Sequence, residues 1–329
     1  MVLNRVVYYL PFFLYIYIDE LLLRLKASGY GCYAGDMFFG ALGYGDDITL
    51  LAPSPSSLKL ILHIVKTFGK EYNVTINPSK SQFLVCGKNN TQDIKVKFNN
   101  TEVNAVPNAK HLGNYIGPQV GNKMIEYTQN DFVMRVNFIL SNFGNCNHVV
   151  KYKLMKMYCM ALYGAVLWDV SDKKFSAFCS LWRRCVRKLI NVSARTHSNL
   201  LYLIVEDINI ECQIHKRMIR FIESILTSQN PLLSRCGRLI KEGSRSNVST
   251  NLFYIVARYN CSIQTDAKQL CNIISLFKSV DSYNHRELMI AENIKTILYY
   301  RDSSIISGVN SILNYEELEI MLDYFCTCS

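Results

Sequence analysis

The hydrophobic pattern of this chain changes once, near residue 120, and that change limits the fold more than any other feature. Before it, short apolar runs and helical stretches are separated by turn signals. From about Asp131 onward, apolar residues recur only at helical spacing. The pattern predicts an α+β region over 1–120 and an all-helical remainder. The polar stretch from Ser244 to Thr250, SRSNVST, divides that remainder into 121–243 and 244–329. Half of the 329 residues are hydrophobic, which is enough for packed cores and excludes a disordered chain.

The apolar run from Val6 to Ile18, VVYYLPFFLYIYI, falls short of the ~20 residues that span a bilayer, and it contains Pro11. Asp19-Glu20-Leu21-Leu22 follows and offers no small-residue cleavage site. The run is therefore expected to be buried, with no membrane role, and to continue into a helix that carries Leu21, Leu22 and Leu25 on one face and ends near Gly29. Ser54 before Pro55 reads as the cap of a second helix, whose apolar residues from Leu58 to Phe68 keep helical spacing. Strands are expected at Val74 to Ile76, at Phe83 to Val85, and at the alternating Ile94, Val96 and Phe98 beyond a polar turn from Gly87 to Asp93.

The most chemical feature is Gly43-Tyr44-Gly45-Asp46-Asp47, which lies between the apolar runs Met37 to Leu42 and Ile48 to Leu51. Two such runs around a Gly/Asp turn predict a β-hairpin. Adjacent carboxylates repel, and a rigid turn that keeps both ionised is favoured when a cation sits between them. Oxygen ligands suit hard divalent ions such as Mg²⁺ or Mn²⁺, and Gly45 permits close approach of another backbone. A solvated acidic turn is the plain alternative.

The formal charge is +10, with 36 Lys and Arg against 26 Asp and Glu, and such an excess favours polyanionic partners. Its densest helical expression is LWRRCVRKLI. There Arg183, Arg184, Arg187 and Lys188 share one face, opposite Trp182, Val186 and Leu189. Lys151, Lys153, Lys156, Lys173 and Lys174 precede it, and His215-Lys216-Arg217 and Arg220 follow. The twelve cysteines contain no C-x-x-C pair, which fits a reducing, intracellular setting. Cys326-Thr327-Cys328 and the acidic stretch Tyr315 to Glu319 suggest no chemistry.

Taken in order, YIDELLLRL, GALGYGDDITLLAPS, FGKEYNVTINPSKSQFLV and VPNAKHLGNYIG resemble the reverse transcriptases of non-LTR retrotransposons. YGAVLWD, WRRCVRKLI and RTHSNLLYLI resemble the region that follows the palm in the same elements. The resemblance implies part of a polymerase palm followed by a helical thumb, with an RNA template, a DNA primer and deoxynucleotides as partners. It assigns metal binding to Asp46 and Asp47, with Tyr44 and Gly45 beside them. Lys80 would face the departing pyrophosphate, and Leu112-Gly113 would fall in the hairpin that holds the primer end. Arg183, Arg184, Arg187 and Lys188 would contact template–primer phosphates. Nuclear placement follows only from how such elements copy themselves at chromosomal targets.

Two departures from the family pattern shape the expectation. The fingers and a further metal-binding aspartate on an earlier strand are not found in the 43 residues ahead of Tyr44, so an upstream polypeptide would have to supply them. The chain alone is accordingly expected to add few or no nucleotides, and a non-catalytic nucleic-acid-binding remnant is the main alternative. Gly45 stands where these enzymes usually carry Ala. Gly-Asp-Asp is the habit of viral RNA-dependent RNA polymerases, but LLAPS, NPSKS and HLG argue against that reading.

Overall fold

The computed structural model describes residues 3–86, 94–117, 123–277 and 285–307, with backbone alone for 3–15 and 304–307. The turn expected from Gly87 to Asp93, the acidic stretch Tyr315 to Glu319 and the pair Cys326 and Cys328 lie outside the described residues. Two compact units make up the chain, Met1–Val120 and Gly121–Ser329. All described strands belong to the first unit, and the described elements of the second are helical.

In the first unit, α1 (Leu3–Ser28) carries the apolar run through Pro11 into the leucine face, where Leu21 and Leu25 are buried. Gly29, at φ 74°, follows its last residue and supplies the left-handed stop. Strands β1 (Tyr33–Ala34) and β2 (Met37–Phe38) pair as a small hairpin, so the expected single strand from Met37 to Leu42 is broken. The break has a steric cause. Gly31 and Gly40 approach so closely that a Cβ on either would stand 2.5 Å from the other's Cα. Beyond Gly40, β3 (Ala41–Tyr44) pairs antiparallel with β4 (Asp47–Leu50).

Helix α2 (Pro55–Glu71) starts as its sequence predicts, with the Ser54 hydroxyl accepting from the Ser57 N–H at 3.1 Å. It ends with Asn73 at φ 54° and the Val74 N–H donating to the Gly69 carbonyl at 2.8 Å. That closure occupies Val74 and leaves no strand at Val74 to Ile76, contrary to expectation. Four short ladder partners follow. β5 (Gln82–Phe83) pairs in parallel with β8 (Asn104–Ala105), and β6 (Lys97–Phe98) pairs antiparallel with β7 (Thr101–Glu102). β9 (Ala109–His111) and β10 (Asn114–Ile116) form a final hairpin. The strands remain five two-stranded ladders around a core of Leu21, Leu25, Ile61, Val65, Phe68, Val96, Phe98 and Val103. Arg24 fastens α1 to α2 through Glu71, at 2.6 and 3.0 Å, and also pairs with Glu20 of its own helix at 2.8 Å.

The second unit comprises α3 (Lys123–Asn142), α4 (His148–Tyr158), α5 (Lys173–Ile190), α6 (Ser198–Ile204) and α7 (Ile210–Leu226). It continues with α8 (Pro231–Lys241), α9 (Asn247–Arg258), α10 (Ala267–Leu276) and α11 (His285–Ser307). Short polar side chains cap most of these starts, as at Asn147, Asp172, Asn209, Asn230, Ser246 and Asp266. One core runs from Ile125 to Leu298 and includes Trp168 and Trp182, and α8 and α9 pack together across residue 244. Among the described residues, no helix is long and apolar enough to cross a membrane.

A buried ionic link closes this unit. The Asp302 carboxylate accepts from the His148 backbone N–H at 2.8 Å, at the start of α4, and lies 2.6 Å from His148 Nδ1. Arg301 donates to the Ile190 and Asn191 carbonyls at 3.1 and 2.9 Å, capping the end of α5, and contacts Asp302 Oδ1 at 3.1 Å. Burial alone would raise the Asp302 carboxyl. The hydrogen bonds from His148 and the Arg301 charge outweigh it and hold the group below the usual carboxylate range.

Candidate metal and nucleic-acid site

The β3–β4 hairpin positions the acidic pair. Its register couples Tyr44 with Asp47, leaving Gly45 and Asp46 as a two-residue loop. Gly45 is at φ 59°, and Asp46 is not among the residues with positive φ, the pattern of a loop with glycine at its first position. Alternation then sorts the side chains. Ala41, Ile48 and Leu50 pack on the core of the unit. Gly43 faces α1, where a Cβ would stand 3.3 Å from Ile18 and 3.5 Å from Leu22. The opposite face carries Leu42, Tyr44, Asp47 and Thr49, with Tyr44 65% exposed.

Both carboxylates are exposed, and neither Asp46 nor Asp47 has an ion pair among the described residues. Two unpaired oxygen donors on a fixed turn suit one hard divalent cation. Among the described residues, no group of three or more His, Cys, Asp and Glu side chains is placed to hold a metal ion.

On the outer face of β4, Thr49 Oγ1 lies 3.3 Å from His111 Nε2, which joins this hairpin to the β9–β10 hairpin. Thr49 is two residues from Asp47 on the same strand face, so His111 meets the hairpin within about 7 Å of backbone from the acidic pair. The β9–β10 loop consists of Leu112 and Gly113, at φ 47° and 78°. Positive φ at both positions is the I′ pattern. Gly113 adopts it freely, while Leu112 is strained there. Sequence reasoning placed Leu112 and Gly113 in a turn but missed Thr49 and His111, whose pairing joins residues 62 positions apart.

Lys80 is exposed in the turn ahead of β5. The turn is held by Asn77 Oδ1, which accepts from the Ser79 N–H at 2.9 Å, and by the Ser81 hydroxyl, which donates to the Asn77 carbonyl at 2.9 Å. Lys80 forms no ion pair with Asp46 or Asp47.

The basic face of α5 divides. Arg184 and Lys188 are exposed, and among the described residues Lys188 makes one long 3.5 Å contact, to Asn137 Oδ1. Arg187 is half-buried and donates to the Thr196 carbonyl at 2.9 Å and to the Ser198 hydroxyl at 3.1 Å. Arg183 donates to the Ser180 hydroxyl at 2.9 Å. Several flanking cations also serve the fold. Lys151 is buried and donates to the Gly144 carbonyl at 3.3 Å, with burial lowering its pKa. Lys156 pairs with Asp207 and Lys174 with Glu126, each at 2.7 Å. Arg217 donates to the Met160 and Ala161 carbonyls at 2.7 and 3.0 Å. His215 is fully buried, and burial drives its pKa down to about 3.

A family model described as reverse transcriptase (RNA-dependent DNA polymerase) matches residues 11–120. No curated protein and no solved structure matches the chain. The matched stretch holds the acidic hairpin, α2, the Lys80 turn and the β9–β10 hairpin, and it stops where the first unit stops. Residues 11–120, nearly the whole first unit, thus match a reverse transcriptase (RNA-dependent DNA polymerase) domain.

Proposed function

We propose that this chain derives from the RNA-directed DNA polymerase of a non-LTR retrotransposon and engages an RNA template with a DNA primer. In this reading the first unit is the later part of a palm and the second a thumb-like grip. The carrying observation is the pair of exposed carboxylates, Asp46 and Asp47, without an ion pair among the described residues, on a hairpin tied through Thr49 and His111 to the Leu112–Gly113 loop. That arrangement favours a divalent cation beside a nucleic-acid end. Asp46 and Asp47 would hold Mg²⁺ or Mn²⁺, which would neutralise charge on phosphate or a primer oxygen. Tyr44 and Gly45 border the ion, Lys80 supplies a mobile cation ahead of β5, and Leu112 and Gly113 let a strand pass close to the backbone. Arg184 and Lys188, with Arg183 and Arg187 at their flank, contact phosphates.

The same donor set favours binding over turnover, since two carboxylates fall short of a two-metal centre. Little or no nucleotide addition is expected from this chain alone. Primer extension on a poly(A) template with Mg²⁺ tests both parts. Robust synthesis abolished by Asp46→Ala would overturn the inactivity while supporting the site. Robust synthesis indifferent to Asp46→Ala would overturn the site itself. The non-catalytic reading predicts salt-sensitive template–primer binding that survives Asp46→Ala and weakens in Arg184→Gln/Lys188→Gln.

A further inference from the structure

Several cations of the second unit are neutralised by carboxylates. Lys156, Lys174 and Arg258 each hold an acidic partner at 2.7 Å, and Lys295 holds Glu206 at 2.9 Å. Helix α8 and the turn after it gather four cations that are not. The side chains of Arg235, Arg238, Lys241 and Arg245 make no ion pair or hydrogen bond among the described residues. Glu242, the one carboxylate between Pro231 and Ser246, pairs with none of them.

Helical geometry puts these charges on one arc. At about 100° per residue, Arg235 and Lys241 fall about 60° to either side of Arg238. The buried residues Gly237 and Ile240 lie about 100° and 160° from Arg238 on one flank of the helix, with Lys241 at the border of the buried side. Gly237 seats that side on α7, where a Cβ would stand 2.8 Å from Leu226 Cδ2. The basic arc therefore points away from the core, and Arg238, Lys241 and Arg245 are exposed. Arg245 directly precedes Ser246, the cap of α9, so the positive end of that helix dipole adds to the same field.

We infer that α8 and the turn into α9 form a second phosphate-binding surface, separate from α5, that takes the backbone of a nucleic acid. This rests on the proposed nucleic-acid-binding role. Like charges on one helix face repel, and a dense polyanion relieves that repulsion. Arg235 and Lys241 are about 9 Å apart along the helix axis at ~1.5 Å per residue. A duplex carries one phosphate charge per ~1.7 Å, a linear density that matches a strip better than a single phosphate or an acidic peptide would. The contacts would be independent of base sequence.

The experiment is a salt titration of full-chain binding to a fluorescent RNA–DNA hybrid, read by anisotropy. It compares the wild type, Arg235→Gln/Arg238→Gln/Lys241→Gln, and Arg184→Gln/Lys188→Gln. The α8 variant should bind at least about tenfold more weakly at moderate salt. Its slope of log affinity against log salt should flatten by about 2.7 for three lost phosphate contacts. Arg238→Gln alone, which removes one exposed side chain and leaves the packed face intact, should flatten it by about 0.9. Unchanged slopes in both α8 variants, with a loss confined to the α5 variant, overturn this surface and leave the polymerase reading standing. Absence of salt-dependent hybrid binding in the wild type overturns both. Retention on phosphatidylserine vesicles that falls in the α8 variants while hybrid binding does not also overturns the inference, in favour of a lipid surface.

Discussion

Asp302→Asn is the sharpest test of how the second unit holds together. The substitution keeps the side-chain volume and removes the charge that faces Arg301 and His148. Asp302 is 3% exposed and Arg301 5%, so the cation left behind cannot turn to solvent. Breaking a buried pair from one side costs about 3–5 kcal/mol. Arg301 keeps the Ile190 and Asn191 carbonyls as acceptors, at 3.1 and 2.9 Å, which places the cost near the lower end, about 3 kcal/mol. For a unit of this size that corresponds to a fall in melting midpoint of about 6–12 °C. Tryptophan emission reads this unit alone, because Trp168 and Trp182, the chain's two tryptophans, both lie in its core. Glu206→Gln, which removes an exposed partner of Lys295, should cost less than about 1 kcal/mol and serves as the contrast. A midpoint for Asp302→Asn within about 2 °C of wild type would refute the claim that the Asp302 network closes the bundle.

Acid titration separates two buried groups. The folded pKa of Asp302 is depressed, so its stabilising contribution is complete above the ordinary carboxyl range and disappears as pH falls through the folded value. Asp302→Asn should flatten the most acidic part of the stability curve, measured by urea unfolding across pH. Burial holds the His215 pKa down at about 3, whereas the unfolded chain accepts a proton near 6.5, so as pH falls between those values His215 should remove stability at up to about 1.4 kcal/mol per unit. Replacing His215 with Gln should remove that slope. Leu112→Gly relieves a left-handed leucine and should stabilise the β9–β10 hairpin by about 1 kcal/mol, visible as slower amide exchange at the closing pair, His111 and Asn114. Thr49→Val removes the bond to His111 and should speed exchange in the same hairpin, with a loss of about 1 kcal/mol.

Local rules carried part of the fold. Ser54-Pro55 signalled the start of α2 because capping depends on neighbouring residues alone, and the Gly45-Asp46 loop was legible because glycine and apolar runs specify a hairpin within ten residues. Val74 to Ile76 misled because its apolar content resembles a strand, while the Val74 N–H is already committed to closing α2. Charge patterns were least readable. The face written as Arg183, Arg184, Arg187 and Lys188 looks uniform along a helix, yet Arg187 is turned toward Thr196 and Ser198 by the fold of the following loop. Lys151 and His215, which the sequence places among the basic residues, are withdrawn into the core by packing that no local pattern encodes. The α8 cations went unnoticed for the converse reason. What distinguishes them is that partners are lacking among the described residues, and partner distances appear only in three dimensions.

The central claim concerns the two carboxylates beside Gly45, and Mn²⁺ binding tests it most directly. Water-proton relaxation should report one weakly held ion per chain, held more tightly when an RNA–DNA hybrid is present. Asp46→Asn/Asp47→Asn should abolish that signal without shifting the tryptophan-monitored melt of the second unit. An unaltered Mn²⁺ titration in the double variant would contradict the claim.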